Sequence, residues 1–330
     1  MATDWFATQN GAGAQNGTNI ANAWAIQDGV DNVNTPGDIL RICGNVTINA
    51  QLDFDTNDGT RIAPIYYKGY SSDGTTPQQI TITRTSADGY VMAITTDWLV
   101  FEQITAANAN TGSSTYIWND TGSHNTYLKC KADGGYKGWV CTGDYTVLIA
   151  PEVNNAASVG YSLSGLTYFK SGTGHDVTYD TFQMLDNVFL EDCAGLDNGR
   201  YDFGGYLTSE AGMVVVSGCG SRNVGDAAFW TRNGTTVVIN SIAASATGAA
   251  LEVDVAGLAV IRFGNTFPTG GAEANGSETA GNPTTIGGAT VKADLVAAED
   301  PAFEGAGDFR LGAGSDSIGQ AGPDALPFDL

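Results

Sequence analysis

The chain has 330 residues, of which 44 are glycine and only 15% are charged. Soluble domains typically carry about 25% charged residues, so this composition favours an elongated β-rich protein over an ordinary globule. Acidic side chains outnumber basic ones 36 to 14, which gives a formal net charge of −22. Such a surface repels phosphate backbones and anionic lipid headgroups, so we expect neither nucleic acid nor a membrane as a partner.

The first residues, Met1 to Trp5, do not show the basic leader and apolar core of a Sec signal peptide. No apolar run approaches the ~18 residues that a membrane-spanning helix needs. The sequence therefore predicts a virion-surface or extracellular protein that is either a mature exported form or leaves its cell by another route, such as lysis.

Thr18 to Asn34 has apolar residues spaced three or four apart, with Thr18 or Asn19 available as an N-cap. This pattern predicts an amphipathic helix. The following Pro36-Gly37-Asp38-Ile39 is a turn that leads into the first strand. We predict an N-terminal cap over residues 1–37, because a solenoid must cover its open end.

A repeat with spacings of 20 to 26 residues runs through the middle of the chain. Small, apolar or sulfur-containing side chains recur at Ile104, Cys130, Ala150, Ser171, Cys193, Cys219, Ile242 and Gly264. Three residues earlier come Phe101, Tyr127, Val147, Tyr168, Leu190, Val216, Ile239 and Ile261. Two residues earlier again come Leu99, Asn125, Tyr145, Leu166, Val188, Val214, Val237 and Ala259. Alternating positions of this kind point from short strands into a core.

A second series with the same period contains Trp139, Tyr161, Tyr206, Phe229 and Leu251, each after a turn with Gly, Asp or Asn. Two strand columns per period describe a solenoid whose rungs stack in parallel. The predicted fold class is all-β, a right-handed parallel β-helix solenoid over residues 38–264 with an N-terminal amphipathic capping helix. Residues 265–330, where the repeat stops, are predicted to form an irregular Gly/Ala-rich segment and end cap.

The five cysteines are an odd number, which argues against a fully paired disulfide framework. Cys130, Cys193 and Cys219 fall in the inward column, so we predict that they are free thiols in the core. A zinc or redox site would need closely spaced pairs, which this chain does not have. We expect no metal site and no cofactor, although the acidity is compatible with loosely bound Ca²⁺.

These motifs together resemble the right-handed parallel β-helix proteins of the pectate-lyase-like superfamily. The resemblance rests on the helix leading to Pro36-Gly37-Asp38-Ile39, on rungs that end in Cys or Ile, and on the closing Gly307-Asp308-Phe309-Arg310-Leu311 with Ser315 and Ile318. It covers nearly the whole chain, but Asp316 stands where the family usually has Pro. The resemblance implies a carbohydrate-active enzyme, an adhesin, or a virion protein such as a phage tailspike, fibre or capsid decoration.

Lysine and acidic residues come together at one place in this register. Lys170 and Asp192 fall on adjacent rungs, with Glu191 beside them and Arg200 in the following turn. Lyases of the resembled family use acidic Ca²⁺ ligands beside a basic residue, and its hydrolases use Asp carboxylates on neighbouring rungs. The rungs after Asp192 offer Gly218 and Ser241, so Lys170, Glu191 and Asp192 are a fallback catalytic hypothesis, and a surface ion pair is the alternative.

Two further groups of residues are candidate binding sites. Tyr116, Trp118 and Tyr136 could stack on sugars. The predicted outward position four residues before the core column holds Phe189, Val215, Val238 and Val260. A loop or another subunit must cover an apolar stripe of that length, and we predict that it is an oligomer interface.

Three classes of function remain open. The first is a non-enzymatic structural or adhesive virion surface protein, with surface glycans as a candidate ligand and with a homotrimer or other virion proteins as partners. The alternatives are a polysaccharide lyase or glycoside hydrolase, and a cell-surface adhesin. The low content of catalytic residues and the apolar stripe favour the first.

Overall fold

The computed structural model describes residues 3–86, 88–207, 213–232, 235–239 and 241–245, and beyond these only strand residues. The chain divides into two compact units, Met1–Tyr168 and Phe169–Leu330. Each unit is built mainly from parallel β-strands, so the predicted fold class, an all-β parallel β-solenoid, is confirmed. No helix among the described residues is both long and apolar enough to cross a membrane.

The first unit contains a 3₁₀ turn at Ile20–Asn22 and one α-helix, α1, at Ile26–Asn32. Its strands are β1 Asp4–Thr8, β2 Trp24–Ala25, β3 Ile39–Cys43, β4 Val46–Ile48, β5 Leu52–Phe54, β6 Ile65–Tyr70, β7 Ile80–Arg84, β8 Gly89–Ile94, β9 Leu99–Glu102, β10 Ile104–Asn108, β11 Thr115–Asp120, β12 Thr126–Leu128, β13 Lys131–Gly134, β14 Lys137–Cys141, β15 Thr146–Ile149, β16 Glu152–Asn154 and β17 Val159–Leu163. Strand β18, Thr167–Lys170, contains the division between the units.

The second unit contains the strands β19 Thr173–His175, β20 Phe182–Met184, β21 Val188–Glu191, β22 Ala194–Leu196, β23 Tyr201–Tyr206, β24 Met213–Ser217, β25 Gly220–Val224, β26 Ala227–Arg232, β27 Thr235–Ile239, β28 Ile242–Ser245, β29 Leu251–Val253, β30 Leu258–Pro268, β31 Thr284–Ile286, β32 Ala289–Leu295, β33 Phe303–Gly305 and β34 Asp308–Leu311.

Each rung adds one strand to each of three parallel ladders. In the first unit the ladders are β3-β6-β9-β12-β15, β4-β7-β10-β13-β16 and β5-β8-β11-β14-β17. In the second they are β21-β24-β27-β30, β22-β25-β28-β30 and β20-β23-β26-β29. Strand β30 runs past the predicted boundary at Gly264 and pairs in parallel with β32, so parallel pairing continues beyond that boundary.

One residue with positive φ turns the chain between the first and second ladders. The φ angles are 57° at Gln103, 53° at Lys129 and 51° at Ala150 in the first unit, and 53° at Ser171, 53° at Asp192 and 64° at Gly218 in the second. A side chain at such a position is uncommon, because the left-handed region crowds Cβ. The backbone bonds of the ladder hold the corner; the Lys129 amide, for example, donates to the Ile149 carbonyl at 2.8 Å.

The predicted inward columns are wrong by one residue on some rungs. Leu148, not Val147, pairs with Tyr127, and both are buried. Two positions before Leu148, the residue that points inward is Thr146. The predicted inward residue Tyr145 is 54% exposed. The Thr146 hydroxyl donates to the Gly143 carbonyl at 3.3 Å, which makes its burial tolerable. A register slip of one residue exchanges the two faces of a strand. In sequence, the aromatic Tyr145 favours the wrong register over the register that buries Thr146.

The same correction applies to two other rungs. Thr167 is buried and donates to the Ser164 carbonyl at 3.0 Å, while Leu166 is exposed. In β27 Val238 is the buried partner of Val216, and Thr236 is buried opposite Val214. The predicted column positions Ala150 and Ser171 are corner residues rather than core residues.

Aromatic rings fill the core because parallel rungs place equivalent side chains about 4.8 Å apart. Trp118 and Trp139 are fully buried and stack with centroids 4.7 Å apart. Phe101 and Tyr127 stack in the same unit at 5.2 Å. In the second unit Phe182, Phe203 and Phe229 form a similar column.

The predicted helix at Thr18–Asn34 is shorter in the structure. Trp24 and Ala25 are extended because they pair with β1, and Trp24 stacks on Trp5 at 5.0 Å. Asn19 caps the 3₁₀ turn by accepting the Asn22 amide at 3.1 Å.

Helix α1 lies against β1, β2, β3 and β5 and buries Ile26 and Val30, as a cap should. A Cβ on Gly29 would lie 2.9 Å from the Ala7 Cβ, so glycine permits this close approach. The predicted N-terminal cap is therefore present at α1.

The cysteines of the structure are free thiols, and all are buried. Burial raises the pKa of the Cys43 thiol to about 11 and that of Cys130 to about 12. Burial likewise raises the pKa of Cys141 and Cys219.

Because the thiolate is the reactive form, we expect slow labelling of these cysteines by a thiol reagent at pH 8 in the native state and full labelling in denaturant. Rapid native labelling of Cys130, Cys193 and Cys219 would contradict their inward placement.

Candidate functional site

Lys170, Glu191 and Asp192 lie together in the second unit, as their spacing predicts. The Lys170 Nζ is 2.8 Å from the Glu191 Oε1, and the Glu191 carboxylate is largely buried. Burial and the charge of Glu191 raise the pKa of the Asp192 carboxyl, and Lys170 opposes this. Lys170 and Glu191 thus form an ion pair beside the Asp192 carboxyl.

The apolar stripe of the second unit is present with one correction. Phe189 pairs with Val215, and Val215 pairs with Val237 rather than Val238. Val238 is only 2% exposed and belongs to the core. Val260 pairs with Val237 through the backbone, but its side chain lies outside the described residues. The outer face therefore carries Phe189, Met213, Val215 and Val237, which we call the outer apolar patch.

The outer apolar patch is partly open to solvent. Phe189 is 37% exposed and Met213 is exposed, whereas Val215 and Val237 are half-buried. Met213 shares the outward face of β24 with Val215, because side chains alternate along a strand. Four apolar side chains on neighbouring rungs thus form one continuous surface.

The three predicted sugar-stacking residues have different surroundings. Trp118 is fully buried, and its indole N–H donates to the Lys131 carbonyl at 2.9 Å, so its prediction as a sugar platform is wrong. Tyr116 is half-buried and stacks on Tyr90 at 5.6 Å, with the Lys137 ammonium 5.8 Å from its ring. Tyr136 is half-buried at the start of the next rung.

A cluster that we name the Arg200 cluster lies at a corner of the second unit and consists of Tyr179, Asp180, Arg200, Tyr201 and Tyr206. The Arg200 Nε and Nη2 donate to the two oxygens of the fully buried Asp180 carboxylate at 2.8 and 2.7 Å. The Tyr206 hydroxyl donates to the same carboxylate at 2.6 Å. The hydrogen bond from Arg200 to Asp180 raises the pKa of the guanidinium further above its ordinary value.

Tyrosine rings surround the Arg200 guanidinium. Its central carbon lies 5.7 Å from the Tyr179 ring centroid, 4.8 Å from that of Tyr201 and 5.7 Å from that of Tyr206. Tyr179 is 48% exposed and the Arg200 side chain is 40% exposed. The cluster therefore combines a buried carboxylate with an aromatic ring and a guanidinium that both reach solvent.

An open depression of about 490 Å³ lies at the two corners whose residues directly precede Tyr179 and Arg200 in the chain. Two adjacent corners line it, and their residues are Asp176, Val177, Thr178, Asp197, Asn198 and Gly199. Asp176 and Asp197 are the corner residues with positive φ, at 55° and 54°. His175 contacts Asp176 through Nδ1 at 2.9 Å. Within the part of the chain that the structure describes, no group of three or more His, Cys, Asp or Glu residues converges as metal ligands.

The sequence placed Arg200 in a turn but did not reveal its partner Asp180 or the exposed ring of Tyr179. The available signal is the spacing of 21 residues between Asp176 and Asp197 and between Tyr179 and Arg200, which is the length of one rung. Residues at that spacing share a corner. Aligning the turn residues by the length of one rung, as for the core residues, therefore brings such neighbouring polar and aromatic side chains to light.

Comparisons with known proteins agree on the fold. No family model matches the chain, and no curated protein matches it by sequence. The structure is similar to pectate lyase Pel9A, with a TM-score of 0.58 and 14% identity over 96% of this chain and 91% of that one. A rhamnogalacturonan lyase gives a TM-score of 0.54 and 13% identity over 82% and 75% of the two chains. The GH136 lacto-N-biosidase from Eubacterium ramulus gives 0.54 and 7% over 88% and 68%.

These similarities show the fold. The chain shares the parallel β-helix fold of pectate lyase Pel9A and of the rhamnogalacturonan lyase, as its motifs predict. At identities of 14% and below, the comparisons establish the fold and leave the chemistry to the residues of this chain.

Proposed function

We propose that this chain is a non-enzymatic structural or adhesive β-solenoid protein that assembles with copies of itself and recognises surface glycans. Capsid decorations, fibres and tailspikes on a virion surface are proteins of this kind. The observation that carries the proposal is the outer apolar patch on a sheet face of the second unit. The occupant that we propose for it is a second copy of this chain, with a homotrimer as the first expectation.

The energetics of the outer apolar patch favour an interface. Full burial of a side chain such as Phe, Met or Val contributes roughly 1.5–3 kcal/mol relative to exposure. Phe189 and Met213 have the most surface left to bury. The net charge of −22 on each chain opposes association. Because salt screens that repulsion, association should strengthen with ionic strength.

We expect Val215→Asp to yield monomers that keep their β-structure. The new carboxylate would lie at the middle of the patch, where an interface would bury it without a partner. Val140→Asp is the matched control, because Val140 is half-buried on the outer face of β14 between Asn119 and Ser162. Sedimentation velocity should show loss of assembly for Val215→Asp only; equal assembly of both variants would remove the patch as the interface.

A polysaccharide lyase or glycoside hydrolase is the second candidate function. The raised pKa of Asp192 beside the Lys170–Glu191 pair is the observation that favours it. A reducing-sugar assay and absorbance at about 235 nm on acidic polysaccharides test it directly. We expect no turnover typical of enzymes. Turnover that disappears in Asp192→Ala and Lys170→Ala would establish the enzyme instead.

A further inference from the structure

We propose that the corner formed by Tyr179, Arg200 and the adjoining depression is a binding site for an uncharged glycan. This inference rests on the proposed function, because it names the ligand class and the site through which such a protein would recognise a glycan. The site lies entirely in the second unit and is separate from the outer apolar patch on the ladder β21-β24-β27.

The site offers the two kinds of contact that sugars use. The ring of Tyr179 presents an exposed apolar surface on which the C–H face of a pyranose can stack. Arg200 donates hydrogen bonds from Nε and Nη2 to Asp180, and from Nη2 also to Tyr206. No acceptor among the described residues bonds its Nη1. The two N–H groups of Nη1 are therefore available to sugar hydroxyls.

The spacing of these groups suits one ligand. The Arg200 amide donates to the Tyr179 carbonyl at 3.0 Å, so the two residues lie side by side on adjacent rungs. Neighbouring rungs are about 4.8 Å apart. A sugar that stacks on Tyr179 thus lies within reach of the guanidinium on the next rung.

The floor of the depression is preorganised. The Asn198 side chain accepts the Val177 amide at 3.0 Å and donates to the Asp202 carboxylate at 2.6 Å. The Gly199 amide donates to the Val177 carbonyl at 2.9 Å. Asn198 and Asp202 are buried. These bonds hold the two corners together before any ligand arrives, which lowers the entropy cost of binding.

The charges around the site select against anionic ligands. Asp180 neutralises Arg200 through two hydrogen bonds, and the rim adds the carboxylates of Asp176 and Asp197. A uronate or sulfate group would meet a negative field there. Sugar hydroxyls carry no charge and can accept hydrogen bonds from Nη1 of Arg200. An uncharged sugar is therefore the ligand that fits.

The experiment is a titration of the full chain with cellopentaose, mannopentaose, maltopentaose and chitopentaose, and with pentagalacturonate as the anionic counterpart. Saturation-transfer NMR reports binding. We expect one or more of the neutral oligosaccharides to bind with a Kd of about 1 mM, as suits an open site.

Tyr179→Ala should weaken that binding about tenfold, whereas Tyr179→Phe should retain it. Arg200→Lys keeps the charge beside Asp180 but loses the Nη1 donors, and should also weaken binding.

Tyr145→Ala is the matched control, because Tyr145 is an exposed tyrosine at a corner of the first unit and should not affect binding. The inference is overturned if none of the neutral probes binds, if Tyr179→Ala binds as well as the wild type, or if pentagalacturonate binds more tightly. Sedimentation of Tyr179→Ala separates the two proposals. Its assembly should match the wild type, so loss of glycan binding and loss of assembly are independent results.

Discussion

Ile26→Asp should destabilise the first unit by about 4 kcal/mol or more. Ile26 is 4% exposed at the start of α1, which packs against the first strands, so the new carboxylate would be buried without a partner. A displaced α1 would also uncover the end of the solenoid core. Urea unfolding followed by tryptophan fluorescence reports mainly on this unit, because it contains five of the six tryptophans, including the fully buried Trp118 and Trp139.

Ala21→Asp provides the control for Ile26→Asp. Ala21 is exposed in the 3₁₀ turn before α1, so its replacement adds the same charge without burying it. We expect a change within about 0.5 kcal/mol for the control. An unfolding midpoint for Ile26→Asp equal to that of the control would show that α1 does not act as the cap.

Asp120→Asn should remove a large part of the pH dependence of stability. Burial raises the pKa of the Asp120 carboxyl from 3.8 to about 7, although hydrogen bonds from Tyr127, Asn125 and the Gly122 amide favour its ionised form. The folded protein thus keeps this proton up to about pH 7, whereas the unfolded chain releases it near pH 4. Raising the pH through this window therefore lowers the free energy of unfolding of the wild type.

The size of this effect follows from the shift of about three units, at 1.36 kcal/mol for each unit, and is on the order of 4 kcal/mol. An asparagine side chain cannot ionise, so the variant loses this contribution while the other carboxyls titrate as before. Urea unfolding at pH 4.5 and pH 8 measures the difference between wild type and variant. We expect the wild type to lose stability relative to Asp120→Asn at pH 8; parallel profiles would show that Asp120 does not hold a proton in the folded state.

The sequence predicts the fold well because a solenoid repeats its core at every rung. The alignment is correct on the rungs that hold Tyr127 and Cys193. It fails where the structure buries a threonine, because Thr146 and Thr167 satisfy their hydroxyls through nearby carbonyls. Hydropathy cannot reveal the hydrogen bonds of these threonine hydroxyls. It therefore favours the neighbouring Tyr145 and Leu166 as core residues.

The candidate sites were predicted less completely. The Lys170–Glu191 pair follows from register, and so do Phe189 and Val215 of the apolar stripe. Val237 was missed because the slip in β27 moved Val238 to the outer face. The Arg200 cluster is organised around Asp180, a buried carboxylate in a turn that accepts hydrogen bonds from Arg200. The sequence does not predict the cluster, because hydrophobic periodicity gives no sign that a turn residue is buried.

The central claim is that this chain works as an assembled structural protein, and the mass of the wild-type chain in solution tests it most directly. Sedimentation velocity at micromolar concentration should give a multiple of the chain mass, with a larger assembled fraction in about 0.5 M salt than in about 0.05 M salt, because screening weakens the repulsion between chains of charge −22. A monomer at both salt concentrations would contradict assembly through the outer apolar patch.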